Sequence, residues 1–375
     1  MGALTRAAMQ ERNRAKVLAA ARDVFAERGF RDAKIDGIAE RAELTRGAVY
    51  SNFPGKRALY FAVLADDAER APEPPHPEPG ATARQALGAF ARAWVARLPL
   101  ATEEQQHGAA RLGMDLLPEV LADEQTRRPF AQLMKLDAIL LGLALERLHP
   151  PKRPGGRLVQ VAEVALTTLQ GTSQMAAAAP GFVDPFNVIS ACEQLADLDL
   201  GDVWQPPHIP HIPQARPANQ PWSPLPATDA VRGQPARLTG DGVVAILGFH
   251  RLAAAEEALR AAPPGADVTA FLVTSAPDEL APLARLAIAD LRAGLHQAFP
   301  PSAWPRLQVV FDESGALAAA AGVPAVSDAT ETAVRIAAGR VVARADGFGA
   351  CHAAASASVA PPANQAQGSS PRRRG

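Results

Sequence analysis

The chain has 375 residues, of which 48% are hydrophobic and 21% charged, and this composition excludes a fibrous repeat or a disordered tail protein. The net charge of −1 hides an asymmetry, because residues 1–60 carry 12 lysines and arginines against 7 acids, or +5, and the remainder carries −6. Neither a membrane span nor a signal peptide is visible, so we expect a cytoplasmic protein. A basic head suggests a polyanion partner, although a solvated helix face would have the same charge.

The first seventy residues predict a series of closely spaced helices. Apolar residues recur at helical spacing from Val17 to Phe25, and Gly29 follows as a stop signal. Three more helices are expected at Ile35–Ala42, Thr45–Asn52 and Lys56–Asp67. We delimit this first domain as residues 11–71, and the proline-rich stretch 71–80 connects it to the next one.

Residues 81–199 predict an all-helical domain of bundle type, because they contain long apolar periodic runs and almost no β-rich segment. The predicted helices are Thr82–Leu98, Glu103–Leu117, Pro129–Leu148, Arg157–Ala177 and Pro185–Leu198. Residues 200–240 are rich in proline and predict an extended linker.

Residues 241–352 predict an α/β domain with the element order β-α-β-α-β-α-β-β, which implies a mixed sheet flanked by helices. The strands are expected at Gly242–Phe249, Val268–Thr274, Leu307–Phe311, Thr332–Ala337 and Arg340–Ala345. The helices are expected at Leu252–Ala262, Glu279–Phe299 and Gly315–Ala321. The tail, residues 353–375, is rich in alanine, serine and proline and is expected to be disordered.

Residues 35–53 predict a helix-turn-helix, in which Thr45 caps the second helix and Leu44 plugs the turn. A recognition helix reads base edges with its N-terminal residues, so Arg46 is suited to donate two parallel hydrogen bonds to a guanine. Tyr50 and Lys56 are expected to hold backbone phosphates. The predicted DNA-binding residues are Lys34, Thr45, Arg46, Gly47, Tyr50, Ser51, Asn52 and Lys56. A helix pair alone is weak evidence, since any small bundle contains one.

The full pattern resembles the TetR family of transcriptional repressors. The family's motifs read A..LF...G, IA..A and S.GT.Y..F..K..L, and eleven residues fall in those positions. These are Ala21, Phe25, Gly29, Ile38, Ala39, Ala42, Gly47, Tyr50, Phe53, Lys56 and Leu59. Three residues depart from the family pattern: Glu43 replaces the glycine of the turn, Lys34 a capping Ser or Thr, and Ala48 a threonine. The glutamate therefore either strains the turn or adopts a left-handed conformation.

The resemblance implies a homodimer on a palindromic double-stranded operator, modulated by a small-molecule effector in the helical domain. By position, Arg157–Ala177 and Pro185–Leu198 would form the dimer seam, although a plain core would look the same. The candidate effector-binding residues are Trp94, Met114, Phe130, Met134 and Leu141, and such residues are also common in cores.

The order of elements in residues 241–350 resembles a thioredoxin-like domain, with a flavodoxin-like module as the alternative. Residues 249–254, where such domains carry Cys-x-x-Cys, contain no cysteine, and residues 329–332 lack the usual cis-proline. Thiol–disulfide exchange needs a thiolate and a resolving partner, so we expect a non-catalytic appendage.

The favoured function is a DNA-binding transcriptional regulator, expected to act as a homodimeric repressor. The alternative is a thioredoxin-like redox or adaptor protein with a vestigial DNA-binding head. We predict no catalytic residue, cofactor or metal site, and no membrane partner.

Overall fold

The computed structural model describes residues 5–72, 79–98, 112–151, 153–208 and 212–358. Helices form most of its first part, with bounds α1 Arg6–Asp32, α2 Ile35–Arg41, α3 Arg46–Tyr50, α4 Lys56–Arg70, α5 Ala83–Val95, α6 Leu116–Leu121, α7 Glu124–Leu148, α8 Val159–Ala178 and α9 Pro185–Leu195. The all-helical prediction for this part is confirmed. The predicted helix Glu103–Leu117 lies mostly outside the described residues, as does the centre of the connector 71–80. Within the described ranges, no helix is both long enough and apolar enough to cross a bilayer.

Helix α4 is buried on every side, because its sequence is apolar all round from Ala58 to Ala65. One side packs on α1, where Tyr60 meets the Phe25 ring edge-on at 5.3 Å between centroids. The opposite side packs on a long helix from the C-terminal part of the chain, α11, Pro277–Ala298. Helix α4, which leaves the N-terminal head, is therefore packed between α1 and α11.

The C-terminal part has the predicted order of strands and helices. Its elements are β4 Gly242–Gly248, α10 Ala254–Ala261, β5 Asp267–Val273, α11 Pro277–Ala298, β6 Leu307–Phe311, α12 Ala316–Ala320, β7 Glu331–Ala337 and β8 Arg340–Asp346. Strands β4, β5 and β6 are parallel, whereas β7 joins β4 antiparallel and forms a hairpin with β8. The sheet is therefore mixed, as predicted, but its likeness to a thioredoxin-like domain stays a prediction.

The predicted linker 200–240 contains more structure than expected. Arg216–Pro221 forms strand β1, which pairs antiparallel with β8 and gives the sheet the order β1-β8-β7-β4-β5-β6. Proline is tolerated here because an edge strand leaves one row of its backbone groups unpaired. Thr228–Asp229 and Gln234–Pro235 form a further short two-stranded ladder, β2 and β3. The segment is thus part of the α/β unit rather than a plain linker.

The predicted start of the disordered tail at residue 353 is also wrong. Helix α13, Ala350–Ser356, crosses that boundary and packs on α10 and β7. Its alanines and Cys351 are small and buried. The alanine-rich composition that indicated disorder here forms a close-packed helix face. The tail from residue 359 lies outside the described residues.

The core of the sheet is continuous with the core of the helical part. Val243, Ala245 and Leu247 of β4 belong to the same cluster of buried residues as Phe25 and Leu141. Helices α10, α11 and α13 cover this face of the sheet, whereas α12 and Trp222 cover the other one. The interpretation of the C-terminal part as an appendage is therefore wrong in structural terms, since α11 belongs to both parts.

The contact between α11 and α5 depends on Gly294. A β-carbon at this position would overlap the Phe90 ring, which is fully buried. We expect Gly294→Ala to lower the free energy of unfolding by about 1–3 kcal/mol, because overpacking forces side chains off their rotamers. Gly37→Ala is the matched control in a helix with open space around the glycine, and it should be neutral or stabilising by up to about 1 kcal/mol. Urea unfolding of both variants would measure this. If Gly294→Ala were as stable as the unchanged chain, α11 would not be closely packed against α5 at this position.

Candidate nucleic-acid interface

The turn between α2 and α3 adopts the conformation that its sequence implied. Glu43 is left-handed, with φ of 56°, and its carboxylate lies 3.6 Å from the ammonium of Lys16. Leu44 packs against the core as the plug under the turn, and its N–H donates to the carbonyl of Ala39 at 3.0 Å. The family's glycine is replaced, but the turn keeps the geometry that a glycine would give.

Helix α3 is short, and its first turn is held by its cap. The hydroxyl oxygen of Thr45 accepts a hydrogen bond from the N–H of Ala48 at 3.2 Å. Val49 is the buried residue that anchors the helix to the head. With one face anchored, the opposite face turns to solvent and is not covered by any described part of the chain.

The exposed face of α3 carries side chains suited to reading a duplex. The Arg46 side chain is 62% exposed, and its guanidinium lies 5.6 Å from the centroid of the Tyr50 ring and 3.5 Å from the carboxylate of Asp36. Tyr50 is 43% exposed. Gly47 has no side chain, and a β-carbon there would approach only the Thr45 hydroxyl. Backbone can therefore approach a ligand closely at Gly47, with Arg46 and Tyr50 on either side.

Three more of the predicted DNA-binding residues lie at the two ends of the motif. Lys34 is exposed before α2 and makes no side-chain cap, in keeping with its departure from the family pattern. The Ser51 hydroxyl and the Asn52 amide both donate to the carbonyl of Ala48, at 2.9 and 2.8 Å. These two side chains close the C-terminal end of α3, so in this conformation they are committed to the backbone.

The Lys56 ammonium is bonded within the head, whereas the sequence-based assignment expects it to hold a backbone phosphate. Its ammonium donates to the carbonyls of Phe30 at 2.8 Å, Arg31 at 3.3 Å and Ala33 at 3.1 Å. It also lies 4.3 Å from the centroid of the Phe30 ring. An ammonium has three donors, and all three are used. Lys56 therefore closes the end of α1, where Gly29 breaks the helix with φ of 73°.

We expect Lys56→Met to lower the free energy of unfolding by about 1–3 kcal/mol, because partly buried carbonyls lose a charged donor. Exposed Lys34→Met is the control and should change stability by less than about 0.5 kcal/mol. Urea unfolding measures both. A Lys56 variant of unchanged stability that binds DNA weakly would restore the phosphate-contact assignment.

Sequence reasoning missed Arg14 as part of this surface. Its guanidinium lies 4.5 Å from the centroid of the Phe53 ring and donates to the carbonyl of Asn52 at 3.2 Å. It borders a polar depression that Tyr50 and Ser51 also line. The cluster of basic residues in the first half of α1 was the available signal, but which of them faced α3 depended on the packing of the head.

The head is joined to the rest of the chain by polar contacts at α4. The Tyr60 hydroxyl donates to the carbonyl of Leu112, and Asp115 accepts from the N–H of Phe30 at 2.7 Å. The Arg57 guanidinium donates to Asp123 at 2.9 Å and to Glu279 of α11 at 2.6 Å. The orientation of the head is thus linked both to the helical domain and to the α/β part.

Three of the five candidate effector residues line one pocket. Trp94, Phe130 and Met134 surround it together with Asp137, and α11 completes the wall opposite them. The other two candidates do not line this pocket, because Met114 is exposed and Leu141 is fully buried in the core. The acidic residue was missed, although a lone carboxylate within the apolar run of α7 was a visible signal.

These features define a helix-turn-helix domain with an exposed recognition helix. The model of the bacterial regulatory proteins of the tetR family matches residues 17–63. The HTH-type transcriptional regulator SrpR of Pseudomonas putida is 48% identical over 59 residues, which are 16% of this chain and 28% of SrpR. The uncharacterized HTH-type transcriptional regulator TtgW, also of Pseudomonas putida, is 46% identical over 59 residues, 16% of this chain and 44% of TtgW. Residues 17–63 thus form a TetR-family N-terminal domain, and the likeness spans less than half of these two relatives.

A solved structure extends the comparison beyond the head. A TetR transcriptional regulator from Rhodococcus sp. RHA1 aligns with 52% of this chain and 99% of its own, at 18% identity and a TM-score of 0.35.

Proposed function

We propose that the protein is a homodimeric transcriptional regulator that binds a palindromic DNA operator in the cytoplasm. The observation that carries this is the exposed face of α3, with Arg46 and Tyr50, on a TetR-family head. Base edges are read by such a helix in the major groove, and the excess positive charge of residues 1–60 adds sequence-independent attraction to phosphates. Repression is the proposed outcome of binding.

The proposed dimer seam lies on α8 and α9. Two phenylalanines in this region are strongly solvent-exposed in the single chain, Phe182 in the loop between α8 and α9 at 72% and Phe186 in α9 at 77%. Met175 and Val164 of α8 are exposed as well. Several exposed large apolar side chains on two adjacent helices and the loop between them are typical of an interaction surface. A second copy would bury them and set two recognition helices side by side, as a palindrome requires.

The proposed effector site is the pocket lined by Trp94, Phe130 and Met134. It lies between the helical domain and α11, which itself packs on α4. A ligand that favours one position of α11 would shift α4 and therefore the head. Such a ligand would act as a population shift between states that bind DNA and states that do not.

Redox chemistry is not part of the proposal. Both cysteines are buried, and burial raises the pKa of the Cys192 thiol to about 11 and that of Cys351 well above its usual range. The thiolate is the reactive form, and these thiols are held in the inert form. The C-terminal part is therefore proposed to serve regulation and not catalysis.

Selection from random DNA with the full chain at a fixed salt concentration tests the proposal. We expect enrichment of an inverted repeat, bound at least about a thousandfold more tightly than scrambled DNA. A reporter downstream of the selected site then shows whether occupancy lowers or raises transcription. Absence of any enriched sequence would overturn the proposal and favour the adaptor alternative.

A further inference from the structure

One buried acid in the helical domain has an oxygen with no partner. Asp137 lies in the middle of α7 and is 4% exposed. Within the described residues its Oδ1 atom makes no hydrogen bond, and no ion pair reaches the side chain. Leaving a carboxyl group buried without a partner is costly, so a site that retains one either loses stability or uses the group.

The surroundings of Asp137 form the pocket described above. Its wall is apolar and aromatic, with Trp94 held in place by the hydrogen bond from its indole N–H to the Ser173 hydroxyl at 2.9 Å. Four side chains also border a groove between α7 and α8, which gives a path inward, namely Phe130, Met134, Leu166 and Gln170.

Among the residues that line the pocket, the charged neighbour of Asp137 lies on α11. Asp290 of α11 lines the same pocket, and its carboxylate accepts from the Arg97 guanidinium at 2.9 Å. The other walls contribute only uncharged side chains, Trp94 from α5, Leu116 from α6, and Leu166 and Gln170 from α8. Burial raises the pKa of Asp137 well above its usual range, and the nearby Asp290 raises it further. Two acids, Asp137 and Asp290, therefore line the pocket, and Arg97 pairs with Asp290, which leaves Asp137 as the acid that a ligand's positive charge could meet.

We propose that this pocket binds an organic amine, with its apolar part against Trp94 and Phe130 and its ammonium on Asp137. The inference rests on the proposed effector site and names its ligand class. An ammonium group can donate a hydrogen bond to the unpartnered oxygen and pair with the carboxylate, whereas a carboxylate ligand has no proton to donate to that oxygen and would face the Asp290 carboxylate. An apolar ligand would leave the Asp137 oxygen unpaired.

Binding involves a balanced proton exchange. Because burial raises the pKa of Asp137, its carboxyl group holds its proton to a higher pH than an exposed aspartate does, and the amine arrives as an ammonium ion. On binding, the carboxyl proton leaves to solvent and a carboxylate–ammonium pair remains. Over the pH range in which the carboxyl group still holds its proton, affinity for the amine is therefore expected to rise with pH, while the amine itself stays protonated.

The test uses the full chain without DNA and isothermal titration calorimetry with three probes of similar shape: 4-phenylbutylamine, 4-phenylbutan-1-ol and 4-phenylbutyrate. We expect the amine to bind at least about tenfold more tightly than the alcohol, and the carboxylate to bind most weakly. Asp137→Asn should remove the advantage of the amine over the alcohol, and Glu124→Gln, an exposed position on the same helix, should preserve it. Equal binding of amine and alcohol, an unchanged Asp137 variant, or no amine binding at millimolar concentration would each overturn the proposal.

Stability provides the second readout. Because the pKa of Asp137 is raised in the folded state, its unfavourable burial is absent below the unfolded pKa of about 4 and grows as the pH rises above it. We therefore expect Asp137→Asn to raise the melting temperature at pH 7 and not at pH 4. A lower melting temperature at pH 7 would mean that Asp137 holds a structural contact, which contradicts a ligand role. Operator selection is independent of these titrations, so failure of one does not imply failure of the other.

Discussion

Arg46→Ala is expected to lower the affinity of the protein for its selected operator by about one to two orders of magnitude. The side chain is exposed at the start of α3, where a guanidinium can donate two parallel hydrogen bonds to a guanine. Its loss should also relax the preference for one base pair in each half-site. Fluorescence anisotropy with the operator and its single-base variants, at one salt concentration, would measure both effects.

Arg127→Ala is the matched control, because this arginine is exposed on the helical domain and is paired with Glu124 on its own helix. It should leave operator affinity unchanged. If Arg46→Ala weakened operator and scrambled DNA to the same extent, Arg46 would be a phosphate contact rather than a base contact.

Phe186→Asp is expected to convert the dimer into monomers and to lower operator affinity by about two orders of magnitude or more. A carboxylate at the proposed seam would be buried against its own copy without a partner. Each released head then binds a half-site alone, and the gain from joining two sites is lost. Analytical ultracentrifugation and operator titration should show the two effects together.

Phe348→Asp makes the same change at another exposed phenylalanine, in the loop before α13. This control should remain dimeric and keep its operator affinity. A Phe186 variant that stays dimeric would place the seam elsewhere, and a wild-type chain that is monomeric at every concentration would remove the dimer from the proposal.

Local features of the head and of the sheet could be predicted from the sequence because short-range rules determine them. The cap at Thr45 follows from residue type and position, and the left-handed Glu43 is one of the two outcomes that its place at the family's glycine position left open. The hairpin of β7 and β8 turns at Ala338 and Gly339, both with positive φ, as the break between two apolar runs indicated. Apolar periodicity likewise gave the order of strands and helices in residues 241–350.

Long-range packing decided the features that sequence reasoning did not anticipate. Lys56 matches a family position, but only the fold brings its ammonium to three carbonyls at the end of α1. The proline-rich segment became an edge strand because β8 offered an open side. The pocket needed α11, which is more than one hundred residues away from α7 in sequence, so Asp290 could not be grouped with Asp137 beforehand. Apolar residues all round α4 were the one sequence signal that a second partner helix was needed.

The position of α11 against α4 also governs how the protein can be dissected. A chain cut at residue 240 would lose the helix that covers one side of α4 and would expose the apolar residues on that side to water. Loss of the sheet would thus destabilise the DNA-binding head, some two hundred residues upstream in the sequence. Proteolysis within the α/β part should therefore abolish DNA binding by the head rather than release an active head. Calorimetry should record a single unfolding transition for the head and the α/β part.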